Sequence, residues 1–136
     1  ELPESTKQVV LKAVEDTKDN TGMVLTFALN YGSRAEIIEA TKALAKEVQS
    51  GEISVEDIND EVFASKLQTS FLGDLQDPDL MIRTSGEVRL SNFLLWQLAY
   101  SEYYFTDIFW PDFSEEDLHK AILTYQGRHR RYGGLA

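Results

Sequence analysis

The sequence predicts an α/β protein with a mostly parallel central sheet flanked by helices, and three observations carry that prediction. Residues 23–29 (MVLTFAL) form an almost wholly apolar run of strand formers, short and apolar on both faces, as strands covered on two sides are. A second apolar burst, Leu80-Met81-Ile82, runs straight into Arg83. Around these runs, apolar residues recur at helical spacing amid charges.

The elements follow in order. Residues 4–18 carry Val9, Val10, Ala13 and Val14 as the apolar positions of an amphipathic helix, which Asn20-Thr21-Gly22 breaks. After the first strand, Asn30-Tyr31-Gly32 turns the chain. Ser33 with Glu36 has the spacing of a capping box for a helix over 34–49. Its apolar face is Ile37, Ile38, Thr41, Leu44, Ala45 and Val48, and Gly51 ends it. Residues 55–72 read as one or two short helices with Ile58, Val62, Phe63 and Leu67 inward. Asp77-Pro78 punctuates before the second strand, over 79–83. Residues 93–100 (FLLWQLAY) suit a buried helix or a strand, and periodicity does not arbitrate between them. A short helix is favoured, with a strand over 103–106 after it. Trp110-Pro111-Asp112-Phe113 is a turn. Ser114 caps a last helix, with Asp117 three residues on and Leu118, Ile122 and Tyr125 as the inner stripe. That helix ends in Arg128-His129-Arg130-Arg131, and Tyr132-Gly133-Gly134 follows.

Residues 1–136 read as one domain or a piece of one, with no repeat, low-complexity tract or linker. Two or three strands are too few for a sheet covered on both faces, so further strands are expected upstream of this chain, which begins at Glu1 without a methionine. The net charge of −10 argues against a general nucleic-acid surface. The absence of cysteine removes disulfides, thiolate metal sites and Cys nucleophiles, and it fits a reducing compartment. No apolar stretch approaches the roughly 18 residues of a membrane helix, and nothing resembles a signal peptide. A cytoplasmic location is the expectation.

Chemistry concentrates in residues 79–102, DLMIRTSGEVRLSNFLLWQLAYSE. A buried strand ending in a Gly-containing loop with two guanidinium groups, Arg83 and Arg89, has the geometry of a diphosphate grip, because arginine's planar fork matches phosphate oxygens. The plain alternative is a surface turn with solvated arginines. Ligands of open α/β sheets sit beyond the carboxyl ends of strands. There, residues 30–34 and 83–86 would face one crevice, with positive dipole character added by the helix starting near Arg34. Glu102 follows an apolar segment and needs a partner if buried. Beside a diphosphate that partner would be hydrated magnesium, and the competing choice is a salt bridge to an arginine. His119 and His129 have no paired ligand spacing. No Ser-His-Asp arrangement or Walker-type loop is present.

The stretch DLMIRTSGEVRLSNFLLWQLAYSEYYFTDIFWPDF closely resembles the C-terminal signature of the cis-prenyltransferases, the undecaprenyl diphosphate synthase (isoprenyl transferase) family. NYGSRAEI and the terminal RHRRYGG resemble that family's segments in the right order. The resemblance implies the undecaprenyl diphosphate synthase-like fold and an enzyme condensing isopentenyl diphosphate units onto an allylic diphosphate such as farnesyl diphosphate. The product would be a cis-polyprenyl diphosphate, here the undecaprenyl cell-wall carrier, handed as a lipid to a membrane. It implies that Arg83 and Arg89 hold isopentenyl diphosphate beside Ser91, with Leu90 lining the site through its backbone. Glu102 matches the magnesium ligand. Arg131 and Gly133 match an Arg-x-Gly element that reaches the partner subunit's diphosphate site in a homodimer; a basic helix end is the alternative.

Two departures stand out. Val88 occupies the place where some members carry a histidine near the metal. The family's N-terminal Asp-Gly-Asn-Gly-Arg-Trp loop is absent, so no catalytic residue is assigned on this chain and it is expected to be inactive alone. The alternative role is a non-catalytic diphosphate-binding partner subunit of a cis-prenyltransferase complex.

Overall fold

The computed structural model describes residues 3–128. The chain divides into two compact units, the first ending at Tyr31 and the second beginning at Gly32.

In the first unit, helix α1 spans Glu4–Thr17, close to the expected range, but it buries no residue. Residues 23–29 correct the sequence reading. They enter no strand, and Met23 and Phe27 are 87% and 69% exposed. Strand propensity describes how side chains fit a pleated surface. A strand also needs a ladder partner, and among the described residues the pairing is between β1 and β2 alone.

The second unit contains helices α2 (Ser33–Ser50), α3 (Asp60–Ala64) and α4 (Glu115–Gln126), and strands β1 (Leu80–Arg83) and β2 (Glu102–Phe105). The strands pair in parallel, with Leu80 opposite Glu102 and Arg83 opposite Phe105. The expected α/β class is borne out as a small parallel sheet with helices beside it, α4 packing on β2 and α3 on α2. Ala40, Leu44, Ala64, Leu67, Met81, Leu98 and Ala121 form the buried apolar core. Full burial of a leucine such as Leu98 stabilises by about 1.5–3 kcal/mol. Among the described residues, no helix is long and apolar enough to cross a membrane.

Helix α2 starts at Ser33 and stops where Gly51 adopts φ 78°, donating its N–H to the Glu47 and Val48 carbonyls, a left-handed cap suited to glycine. Its buried face is rotated from the expected one: Ser33, Glu36, Ala40 and Leu44 are buried, whereas Ile38 is 54% exposed. The expected capping box does not form, since Gly32 is the N-cap and no side chain of the helix start caps it. Glu36 turns inward instead and accepts from the Gln68 N–H at 2.7 Å. The Gln97 amide donates to both Glu36 oxygens at 3.4 and 3.3 Å and to the Thr69 hydroxyl at 3.0 Å. A buried carboxylate kept in this way needs those donors.

Residues 93–100 form successive turns and not the favoured short helix. Leu94 has φ 45°, which no helix accommodates, and the Leu95 N–H goes to the Ser33 hydroxyl and not to a carbonyl one turn back. On α4, Ser114 and Asp117 form the expected capping box. Ala121 is the fully buried residue of that helix, while Leu118 and Ile122 stay 41% and 37% exposed.

Candidate functional site

Strand β1 delivers Arg83 to the carboxyl end of the sheet, and the loop after it brings back Arg89. Met81, Ile82, Arg83, Arg89, Leu90 and Phe93 line one cleft of about 160 Å³. This is smaller than the roughly 300–1,000 Å³ of a drug-sized pocket, so it suits a charged head group more than a long chain. A larger open hollow of about 560 Å³ is lined by Glu61, Ser65, Ser70, Gly73, Asp74 and Gln76. Its lining has two carboxylates and no cation, which disfavours a phosphate.

The loop between the arginines is folded back on the sheet. Ser85 N–H donates to the Ile108 carbonyl at 2.8 Å and Gly86 N–H to the Thr106 carbonyl at 2.9 Å. Both amides are therefore spent, and the backbone approach to phosphate expected of this glycine loop is not available in this conformation. Gly86 has φ 67°, the left-handed region that favours glycine. A Cβ there would lie 3.2 Å from an Asp107 carboxylate oxygen. That leaves the two guanidinium side chains, which differ in burial: Arg83 is half-buried and Arg89 exposed. Arg89 is ion-paired with Glu87 of its own loop.

Of the other expected residues, Leu90 lines the cleft. Ser91 directly follows it, exposed and at φ 50°. Glu102 is not brought to the cleft. It opens β2 opposite Leu80, three register positions from the pair of Arg83 with Phe105, roughly 10 Å at ~3.3 Å per residue. Its Oε2 accepts from Arg128 Nη1 at 2.7 Å, and the same Nη1 also donates to the Tyr103 carbonyl at 2.9 Å. The salt bridge raised as the competing choice for Glu102 is thus formed. Arg131, Gly133 and His129 lie outside the described residues.

Magnesium takes one or two carboxylates and completes its shell with phosphate oxygens and water. Glu102 offers one carboxylate, and no group of three or more His, Cys, Asp and Glu side chains gathers among the described residues. A lone carboxylate paired with Arg128 does not make a resident metal cage, and an ion held here would have to bring its other ligands with it.

Sequence reasoning missed Asn92. Its side-chain Oδ1 accepts from the Arg34 N–H at 2.8 Å, and its carbonyl accepts from the Ser33 N–H at 2.9 Å. These first amides of α2 were expected to face an anion, and Asn92 occupies them. The cap comes from 58 residues away, a distance at which local capping patterns give no signal.

An α/β chain whose parallel strands end at an arginine-lined cleft belongs, as a class, with proteins that take a ligand at strand termini. Comparison gives the family. The family model described as "Putative undecaprenyl diphosphate synthase" matches residues 1–133, and the chain belongs to that cis-prenyltransferase family. An isoprenyl transferase of Halalkalibacterium halodurans is 60% identical over 134 residues, covering 98% of this chain and 51% of the relative. One of Streptococcus thermophilus is 58% identical over 135 residues, covering 98% of this chain and 54% of the relative. The chain therefore spans about half the length of the curated relatives it matches. Lavandulyl diphosphate synthase from Lavandula x intermedia, solved in complex with dimethylallyl diphosphate, superposes with a TM-score of 0.92 at 40% identity, over 98% of this chain and 56% of that one. A structure described as a probable undecaprenyl diphosphate synthase from Campylobacter jejuni gives a TM-score of 0.76 at 32% identity, over 98% of this chain and 58% of that one.

Proposed function

We propose that residues 1–136 are the C-terminal portion of a single cis-prenyltransferase domain and hold the isopentenyl diphosphate head group. The reaction is condensation of isopentenyl diphosphate onto an allylic diphosphate to give a cis-polyprenyl diphosphate, with undecaprenyl diphosphate as the product we favour. The observation that carries the reading is the meeting of Arg83 and Arg89 in one cleft with Leu90 at the carboxyl end of a parallel strand. Two guanidinium groups neutralise a diphosphate and orient it, and Ser91 beside them offers a hydroxyl. Family resemblance adds a homodimer, a cytoplasmic location, and Arg131 and Gly133 as contacts to diphosphate.

Magnesium would neutralise diphosphate charge as the bond to it breaks. Glu102 is the carboxylate this chain would offer, after releasing Arg128. The chain alone is expected to be inactive.

Titration with isopentenyl diphosphate tests the grip. Removing one charge-assisted contact costs about 1.5–3 kcal/mol, so Arg83→Ala and Arg89→Ala should each weaken binding roughly tenfold or more. Unchanged affinity in both variants would end the reading.

The Glu102–Arg128 pair favours a second reading, a diphosphate-binding partner subunit without catalysis, because it leaves the carboxylate engaged. Magnesium separates the two. For an enzyme half, added Mg2+ tightens isopentenyl diphosphate binding in the wild type and not in Glu102→Gln. For a binding-only subunit, the two respond alike.

A further inference from the structure

We propose that Asn92 and Ser33 are positioning residues for the arginine grip, an inference that rests on the reading of Arg83 and Arg89 above. The segment following Arg89 is held in backbone conformations that residues other than glycine rarely adopt: φ is 50° at Ser91, 63° at Asn92 and 45° at Leu94. Asparagine tolerates this region; leucine has no local means of doing so. Such geometry persists only where the surroundings impose it, and here the start of α2 does so.

Asn92 bonds to α2 twice, through its carbonyl to the Ser33 N–H at 2.9 Å and through Oδ1 to the Arg34 N–H at 2.8 Å. Ser33, 0% exposed, answers from the helix with its hydroxyl, which accepts from the Leu95 N–H at 2.9 Å. The strained Leu94 is thereby bracketed by two fixed points. Gly32 completes the seat, because a Cβ there would stand 2.9 Å from the Asn92 amide nitrogen.

Two links join this clasp to the cleft. The Phe93 N–H donates to the Leu90 carbonyl at 3.1 Å, and Leu90 and Phe93 both line the cleft beside Arg89. An 18-residue helix thus fixes where the turn carrying Leu90 and Ser91 sits, and with it the direction from which Arg89 reaches in. A helix start leaves its first N–H groups unpaired. In this chain they bind the loop and not the ligand, and small displacements of such a loop are costly to ligand orientation.

A double-mutant cycle on the 136-residue chain tests this, with isopentenyl diphosphate and inorganic diphosphate as probes, at a temperature where circular dichroism shows every variant folded. Asn92→Ala should weaken both probes about tenfold in the wild-type background, as loss of one hydrogen bond at the clasp implies. In an Arg89→Ala background the same change should cost less than about twofold, because groups acting through one another are not additive. Equal losses in the two backgrounds would mark Asn92 as merely structural and overturn the proposal. So would no loss from Asn92→Ala where Arg89→Ala does weaken binding, and that result leaves the grip reading intact. Unchanged binding in both Arg83→Ala and Arg89→Ala, or no binding by the wild type, sinks the grip reading and this inference with it. If Asn92→Ala does not fold, Ser33→Ala, which removes the acceptor for the Leu95 N–H, takes its place with the same expectations.

Discussion

Arg89 and Glu87 show how a loop holds a cation with its own carboxylate. They are ion-paired across two residues, with side chains 63% and 37% exposed. An exposed pair of this kind is worth only about 0–1 kcal/mol, so on the proposed reading a diphosphate, with two or more charge-assisted bonds to offer, would displace the carboxylate. Glu87→Gln should therefore tighten isopentenyl diphosphate binding by roughly two- to fivefold, the reciprocal of that small pairing energy. The gain should shrink as salt rises, since screening weakens an exposed pair. A calorimetric titration at two ionic strengths reads it, and weaker binding by the Gln variant would show Glu87 helping the ligand instead. Residue type and strand position pointed to Arg83 and Arg89, and the family resemblance to Leu90; the three line one cleft. The sequence left Glu102 undecided between metal and arginine, since the choice depends on where Arg128, 26 positions later, comes to lie.

Helices α2 and α4 begin with the same local pattern, a serine followed three residues later by an acid, and end up with different caps. At α4 the box closes: the Ser114 hydroxyl, and then its backbone N–H, hold the Asp117 carboxyl below the ordinary carboxylate range. A depressed folded value means this contribution is complete above the unfolded value of about 3.9 and is lost as pH falls through the lower folded one. NMR titration should find the Asp117 midpoint below that of an ordinary aspartate, and Ser114→Ala should move it up. An unshifted midpoint in the wild type would show the box open in solution. At α2 the same spacing fails, because Ser33 is needed by the Leu95 N–H and Glu36 by the Gln68 N–H. Both demands come from segments distant in sequence. Element existence and limits were therefore readable to within a residue or two for α2, β1 and β2, and for the start of α4, which stops at Gln126, short of the expected end in Arg128–Arg131. The buried face of α2 and the fate of residues 93–100 were not, being set by tertiary hydrogen bonds that local periodicity does not encode.

For the whole molecule, the decisive observation is what the two strands do and do not assemble. They bring two arginines to one cleft. They leave Glu102 about three residues down the sheet, bound to Arg128, and no cluster of three metal-ligating side chains forms among the described residues. Residues 23–29, the apolar run that promised another strand, remain outside any ladder with most of their large side chains exposed. A pair of strands is marginal by itself, and an exposed apolar segment of that composition invites a further backbone beside it. Prenyl transfer requires an allylic diphosphate to depart while isopentenyl diphosphate is held, so charge must be neutralised at two places together. The described cleft gathers two arginines in about 160 Å³, which on the proposed reading serves one head group. The 136-residue chain should accordingly bind isopentenyl diphosphate and yet give no turnover when incubated with radiolabelled isopentenyl diphosphate, farnesyl diphosphate and Mg2+. Labelled polyprenyl product above a no-protein control would show that the chain completes a catalytic site by itself, and would require a second diphosphate site and its charge partners within these 136 residues.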